Sequence, residues 1–151
     1  MEYTTLNNGV KMPMAGIGTF LLTPDEAENS VLSALKNGYR LVDTANAYVN
    51  EKAVGRAMKK SGVPREQIFL ETKLWPSFYE QADAVEKTLE RLDTDYIDLL
   101  LIHQPAGNYT AGYRQMGRRR DDVPGGFYAS RPICGLSARR IPMGWRLHTH
   151  S

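Results

Sequence analysis

One unit repeats along the middle of this chain. A short apolar run reaches a polar residue, a stretch with helical spacing follows, and the unit begins again. The runs are 39–44 (YRLVDT), 67–74 (QIFLETKL) and 96–103 (YIDLLLIH), and the polar residues at their ends, Asp43, Lys73 and His103, stand 30 positions apart each time. The intervening stretches, 50–62 and 79–92, carry apolar residues three and four apart, as at Val85, Leu89 and Leu92, which is helical periodicity. The 96–103 run is almost continuously apolar, the pattern of a parallel strand covered on both faces. Strands alternating with helices imply a parallel sheet with right-handed crossovers. In a (β/α) barrel the chemistry sits at the C-terminal ends of the strands. An acid, an amine and an imidazole placed there in successive units have the composition of an active-site rim.

Upstream, residues 4–12 (TTLNNGVKM) read as two short strands around an Asn-Gly turn, a pair that supplies the positive backbone angles of a tight hairpin. MAGIGTF (14–20) reads as a buried strand ending at glycines. Thr23-Pro24-Asp25-Glu26 then marks a helix start: Thr23 caps, Pro24 suits the first helical position and Glu26 completes a capping box. Ala27, Val31, Ala34 and Leu35 fall on one face of that helix, and Gly38 is its stop. The second helix ends at Gly62.

A chain of 151 residues suits one domain. Its 42% apolar and 24% charged residues allow a core and argue against disorder. The opening MEYTTLNNG has no basic segment followed by an apolar run, so no signal peptide is expected. The longest strongly apolar stretch, residues 96–102, is about seven residues and too short to cross a bilayer, so no membrane partner is expected. A single cysteine, Cys134, excludes an internal disulfide and suits a reducing, cytoplasmic setting.

The segment GYRLVDTANAYVNEKAVG (38–55) resembles the first signature of the aldo-keto reductases, with Gly38, Tyr39, Arg40, Asp43, Thr44, Ala45, Tyr48, Asn50, Glu51 and Gly55 where that pattern wants them. The resemblance runs from about residue 3 to residue 113, through LNNGVKMPMAGIGTF, ETKLWP and DYIDLLLIHQP, and points to a diketogluconate-reductase-like branch. It implies an α/β fold, the N-terminal half of a (β/α)8 TIM barrel, with a hairpin first and then about four parallel barrel strands and three helices. It also implies NADPH-dependent reduction of a small aldehyde or ketone to an alcohol, with NADH as the alternative nucleotide. The family's catalytic tetrad maps onto Asp43, Tyr48, Lys73 and His103. Gly18, Thr19 and Phe20, together with Asp43, correspond to the approach to the cofactor; Trp75, His103 and Gln104 correspond to the substrate pocket. The position of Gln104 is often Trp in mammalian members, so an aromatic-ketone preference does not carry over.

Physical chemistry supports the tetrad roles. Carbonyl reduction needs a hydride donor and a proton donor. A phenol is a poor acid–base group near neutral pH, and a neighbouring ammonium favours its ionised form. Asp43 would hold Lys73 in place, Tyr48 would donate the proton, and His103 would orient the substrate oxygen. Taken singly, Asp43 reads as a turn former, Lys73 as a solvated charge, Tyr48 as packing and His103 as a satisfied core histidine; the joint pattern reverses that. Lys73 as the nucleophile of a Schiff-base barrel is the competing enzymatic reading, but it needs a deprotonated amine, which Asp43 would oppose.

The charge pattern changes near residue 114. Residues 1–113 hold 11 basic and 15 acidic side chains, a balance of −4, whereas 114–151 hold 8 Arg, no Lys and 2 Asp, a balance of +6. Periodicity is lost as well, so 1–113 reads as the reductase half-barrel and 114–151 as an irregular, Arg-rich tail. A reading-frame shift near 114–117 is one expectation, and with it a catalytically inactive half-barrel that self-associates through its open edge. Gly135-Leu136-Ser137 begins like a later segment of the family, but Ala138-Arg139 follow where Asn-Phe should stand. The second functional class is a binding arm: Arg118-Arg119-Arg120 and Arg139-Arg140 with Phe127, Tyr128 and Trp145 resemble a nucleic-acid segment. Incidental tail charge accounts for these residues more simply. His148 and His150 lack further ligands, so no metal site is expected, and Cys134 reads as inert.

Overall fold

The computed structural model describes residues 1–6, 8–118, 128–129 and 138–139. A hairpin of β1 (Tyr3–Thr5) and β2 (Lys11–Pro13) comes first, antiparallel, with Thr4 opposite Met12. Gly9 turns it at φ 85°, a conformation that suits glycine. Then follow β3 (Gly16–Gly18), α1 (Pro24–Lys36), β4 (Leu41–Asp43), α2 (Glu51–Ser61), β5 (Phe69–Leu74), α3 (Ala84–Leu92), β6 (Leu99–Ile102) and α4 (Tyr109–Arg118). β3, β4, β5 and β6 pair in parallel in that order. The expected parallel sheet of four barrel strands is present. Two-residue strands β7 (Tyr128–Ala129) and β8 (Ala138–Arg139) extend the sheet beyond β6.

Local chemistry explains the element ends. Thr23 accepts from the Glu26 amide and Glu26 accepts from the Thr23 amide, so the capping box forms as expected. Ala27, Val31 and Leu35 form the buried face of α1. Asp93 takes a left-handed conformation after α3, and Gly62 does the same after α2.

Strand alternation divides the core in two. Val42, Leu70, Leu100 and Ile102 pack outward against Val31, Leu35, Val54, Leu89 and Leu92 of the helices. Phe69 and Leu99 face the other way, with Leu41 and Leu101, and Leu6, Val10 and Met12 of the hairpin segment pack onto them. The hairpin segment therefore covers the inner face near the strand beginnings. The strand ends, where Asp43, Lys73 and His103 stand, lie at the opposite end.

Three sequence expectations need correction. The strand read as buried over 14–20 has only Ile17 of β3 half-buried, with Gly16 and Gly18 exposed, because β3 is the edge strand among the described residues. The helix expected over 79–92 starts only at Ala84, behind a 3-10 turn at Pro76–Phe78. Tyr79 is fully buried and its hydroxyl donates to the Gln104 carbonyl at 2.6 Å, so a tertiary contact holds the segment that propensity would have made helical. The loss of periodicity near residue 114 predicts an end to regular structure there, yet α4 continues to Arg118. Its glycines hid it: Gly112 weakens a helix reading, but a Cβ there would sit 2.6 Å from Ile102 Cδ1 and 2.8 Å from Tyr79 Cδ1, so close packing against β6 and Tyr79 requires the bare backbone. The residues of the proposed binding arm from Arg119 onward, together with Cys134, His148 and His150, lie outside the described residues apart from the backbone of β7 and β8. The Arg118 side chain is outside them too.

Candidate active site

Parallel register aligns the ends of the strands. Gly18 pairs with Asp43, Asp43 with Glu71, and Lys73 with Leu101, so the C-terminal ends of four neighbouring strands stand side by side. The Lys73 side chain is only 8% exposed. A buried ammonium needs partners, and this one donates to Asp43 Oδ1 and, at 2.9 Å, to the Thr44 carbonyl. Asp43 keeps its side chain 38% exposed, so one carboxylate both holds the lysine and faces the open end.

Tyr48 ends a 3-10 turn, Asn46–Tyr48, immediately after β4. Lys73 Nζ lies 5.4 Å from its ring centroid. Val49, next in the chain, has φ 59°, a left-handed conformation that costs a β-branched residue about 1–3 kcal/mol and is typically retained at functional sites. The turn is held from below: Asn46 is buried, and its Oδ1 accepts from the Trp75 amide at 3.0 Å. The tyrosine turn is thereby fastened to the exit of the strand that carries Lys73.

His103 follows β6 and donates its backbone N–H to the Leu74 carbonyl at 2.9 Å. Its ring stands edge-on to Trp75 at 4.9 Å and to Tyr48 at 5.7 Å. Burial lowers its pKa below the usual imidazole value, and the Lys73 ammonium lowers it further, so the neutral ring is favoured. Nδ1 is buried without a hydrogen-bond partner among the described residues. Asp43, Tyr48, Lys73 and His103 thus converge on one end of the sheet.

The other candidates fall into two groups. Phe20 is 63% exposed with its ring 5.1 Å from that of Tyr48, and Trp75 meets the His103 ring edge-on, so both border the cluster. Gly18 sits beside Asp43: a Cβ there would find Asp43 Oδ2 at 3.9 Å and no other heavy atom within 4 Å, which leaves room for a ligand to approach. Thr19 is different. It is fully buried, and its hydroxyl lies 2.9 Å from Thr44 Oγ1 and 3.3 Å from Asn50 Oδ1, while Asn50 Nδ2 donates to the carbonyls of Thr19 and Leu22. The Thr19 side chain locks the loop in place. Gln104 is exposed, and its backbone is tied to the Tyr79 hydroxyl.

Sequence reasoning passed over three contributors. Asn46 and Asn50 stood inside the recognised signature without a role. Glu71 stood two residues before Lys73, and the signal was available: strand alternation puts both side chains on one face. Its carboxylate lies 4.0 Å from Lys73 Nζ with 12% exposure.

The sequence model of the Aldo/keto reductase family matches residues 14–127. An aldo-keto reductase from Mycolicibacterium vanbaalenii is 55% identical over 106 residues, 68% of this chain and 38% of the relative. A glycerol 2-dehydrogenase (NADP(+)) from Saccharomyces cerevisiae is 48% identical over 103 residues, 68% of this chain and 33% of the relative. The crystal structure of a putative 2,5-diketo-D-gluconic acid reductase B superposes with a TM-score of 0.74 at 38% identity, covering 81% of this chain and 45% of that one. The chain spans half or less of the length of these proteins. The family match continues to residue 127, beyond the break in charge near 114.

Proposed function

The chain belongs to the aldo/keto reductase family, and we propose that it carries the acid–base centre of a nicotinamide-dependent reductase that converts an aldehyde or ketone to an alcohol. The observation that carries this reading is the convergence of Tyr48, Lys73, Asp43 and His103 at one end of the parallel sheet.

Each residue has a distinct task in it. Tyr48 donates the proton to the carbonyl oxygen as the alcohol forms. Lys73 holds positive charge over the phenol ring, and Asp43 with the Thr44 carbonyl keeps the ammonium from turning away. His103, neutral, donates a hydrogen bond to the substrate oxygen and orients it. Trp75 and Phe20 supply apolar walls on either side, with Gln104 at the rim. A bound nicotinamide nucleotide supplies the hydride. The open approach over Gly18 fits such a group, with the backbone of 18–20 and the exposed face of Asp43 as its neighbours. NADPH is the proposed form, supported by the NADP(+) in the name of the yeast relative. The single cysteine suits a cytoplasmic setting, and no described helix is long and apolar enough to cross a membrane.

The test is NADPH consumption by the 151-residue chain with a reactive small aldehyde, beside the Tyr48→Phe variant. Turnover that falls on the order of 10²–10⁴-fold in the variant is expected if Tyr48 is the general acid. Equal turnover in both proteins would overturn the assignment of Tyr48. No turnover from folded wild-type protein would leave the second reading, an inactive half-barrel.

A further inference from the structure

We propose that Glu71 is a positioning residue of the acid–base centre, a second carboxyl partner of Lys73 whose protonation sets the charge of the cluster that faces Tyr48. The proposal deepens the reductase reading and rests on it for its kinetic consequence.

The geometry places Glu71 there for a reason that goes beyond local sequence. Asp43 on β4 and Glu71 on β5 are register partners, so their carboxyls lie side by side on the inner face. Lys73, two residues along β5, is the cation that answers both. Leu99 on β6 pairs with Glu71 from the other side and offers no charge. Below, Phe69 and Leu99 belong to the apolar cluster under the hairpin segment. Two carboxylates therefore compete for one ammonium, Asp43 from the open end and Glu71 from a largely buried position. Asp43 makes the direct contact, whereas Glu71 lies at 4.0 Å.

Such a site opposes ionisation of both acids at once. Burial raises the Glu71 carboxyl to a pKa of about 7, and the charge of Asp43 adds to the effect, with Lys73 opposing it. Below that point the cluster of Asp43, Glu71 and Lys73 is neutral as a whole. Above it the cluster carries one negative charge. An added negative charge beside the ammonium opposes release of the Tyr48 proton, and so slows reduction. The proton that Glu71 loses goes to solvent.

Carboxyl-detected NMR of the full chain, with labelled glutamate, tests the first half without turnover. The carboxyl resonance assigned to Glu71 by its loss in Glu71→Gln is expected to titrate near 7 and to titrate lower in Asp43→Asn, separately from that of the buried Glu51. If the resonance that Glu71→Gln removes titrates in the usual carboxylate range, the proposal is wrong. The pH profile tests the second half. In wild type, kcat should fall on the order of tenfold from pH 6 to pH 8, as a unit charge in a site of intermediate dielectric implies. Glu71→Gln should flatten that limb with KM little changed. A parallel loss in kcat at every pH would show a merely structural role and overturn the assignment. If the NMR result holds and no turnover is seen, the reductase reading fails while the buried acid stands.

Discussion

Replacing Arg91 by methionine should destabilise the chain far more than loss of a surface charge would. Glu51, at the start of α2, is 1% exposed. Its carboxylate accepts from Arg91 Nε at 2.6 Å and from Thr72 Oγ1 at 2.9 Å, so one buried acid joins α2, α3 and β5. Burial raises its pKa, and the charge of Arg91, the Arg91 hydrogen bond and the Thr72 hydroxyl offset that only in part. Removing the guanidinium strands the carboxylate, and breaking a buried pair from one side typically costs about 3–5 kcal/mol. That is a large fraction of the roughly 5–15 kcal/mol available to a domain. With a urea slope of about 2 kcal/mol/M, the midpoint should fall by roughly 1.5–2.5 M at pH 7. An acid whose folded pKa is raised favours the folded state most below its unfolded value, and that advantage is lost as pH rises through the folded value. The deficit of Arg91→Met should therefore shrink on acidification, by up to about 1.4 kcal/mol per pH unit once Glu51 takes up a proton on folding. The double variant Glu51→Gln with Arg91→Met should recover most of the loss. Urea unfolding followed by circular dichroism from pH 5 to pH 8 measures all three proteins. A deficit below about 1 kcal/mol at pH 7, the ordinary value of an exposed pair, would refute the argument, as would a double variant no better than the single one.

Gly55→Ala should lower the thermal midpoint although alanine favours a helix by about 1 kcal/mol. The added Cβ would stand 2.4 Å from the Leu92 carbonyl oxygen and 2.7 Å from its carbon, and overpacking against backbone costs about 1–3 kcal/mol; a raised midpoint would show that α2 and α3 can part freely. Thr23→Ala should cost about 1 kcal/mol by opening the capping box at the start of α1, and an unchanged urea midpoint would mean that this helix end frays without consequence.

Much of this protein is legible in its sequence, because the relevant forces are local or periodic. The capping box needs only residues 23–26. The 30-residue interval between Asp43, Lys73 and His103 is one strand–helix unit, and a parallel sheet turns that interval into proximity. The signature around Tyr48 marks the residue proposed as proton donor. What the sequence left open depends on neighbours distant in the chain. Tyr79 sits in turns instead of a helix because the Gln104 carbonyl, 25 residues away, binds its hydroxyl. Gly112 reads as a helix breaker until Ile102 and Tyr79 are seen to fill the space above it. The Thr19 hydroxyl is buried because Thr44 and Asn50 meet it from a different loop. Glu71 is an ordinary acid in the one-dimensional pattern; its pKa rises because the sheet and the hairpin segment keep water away, and β4 adds to the effect by setting Asp43 beside it. Periodicity and caps specify which segments form. Desolvation and close contact are summed over all neighbours, so the assembled fold alone decides which side chains remain available for chemistry.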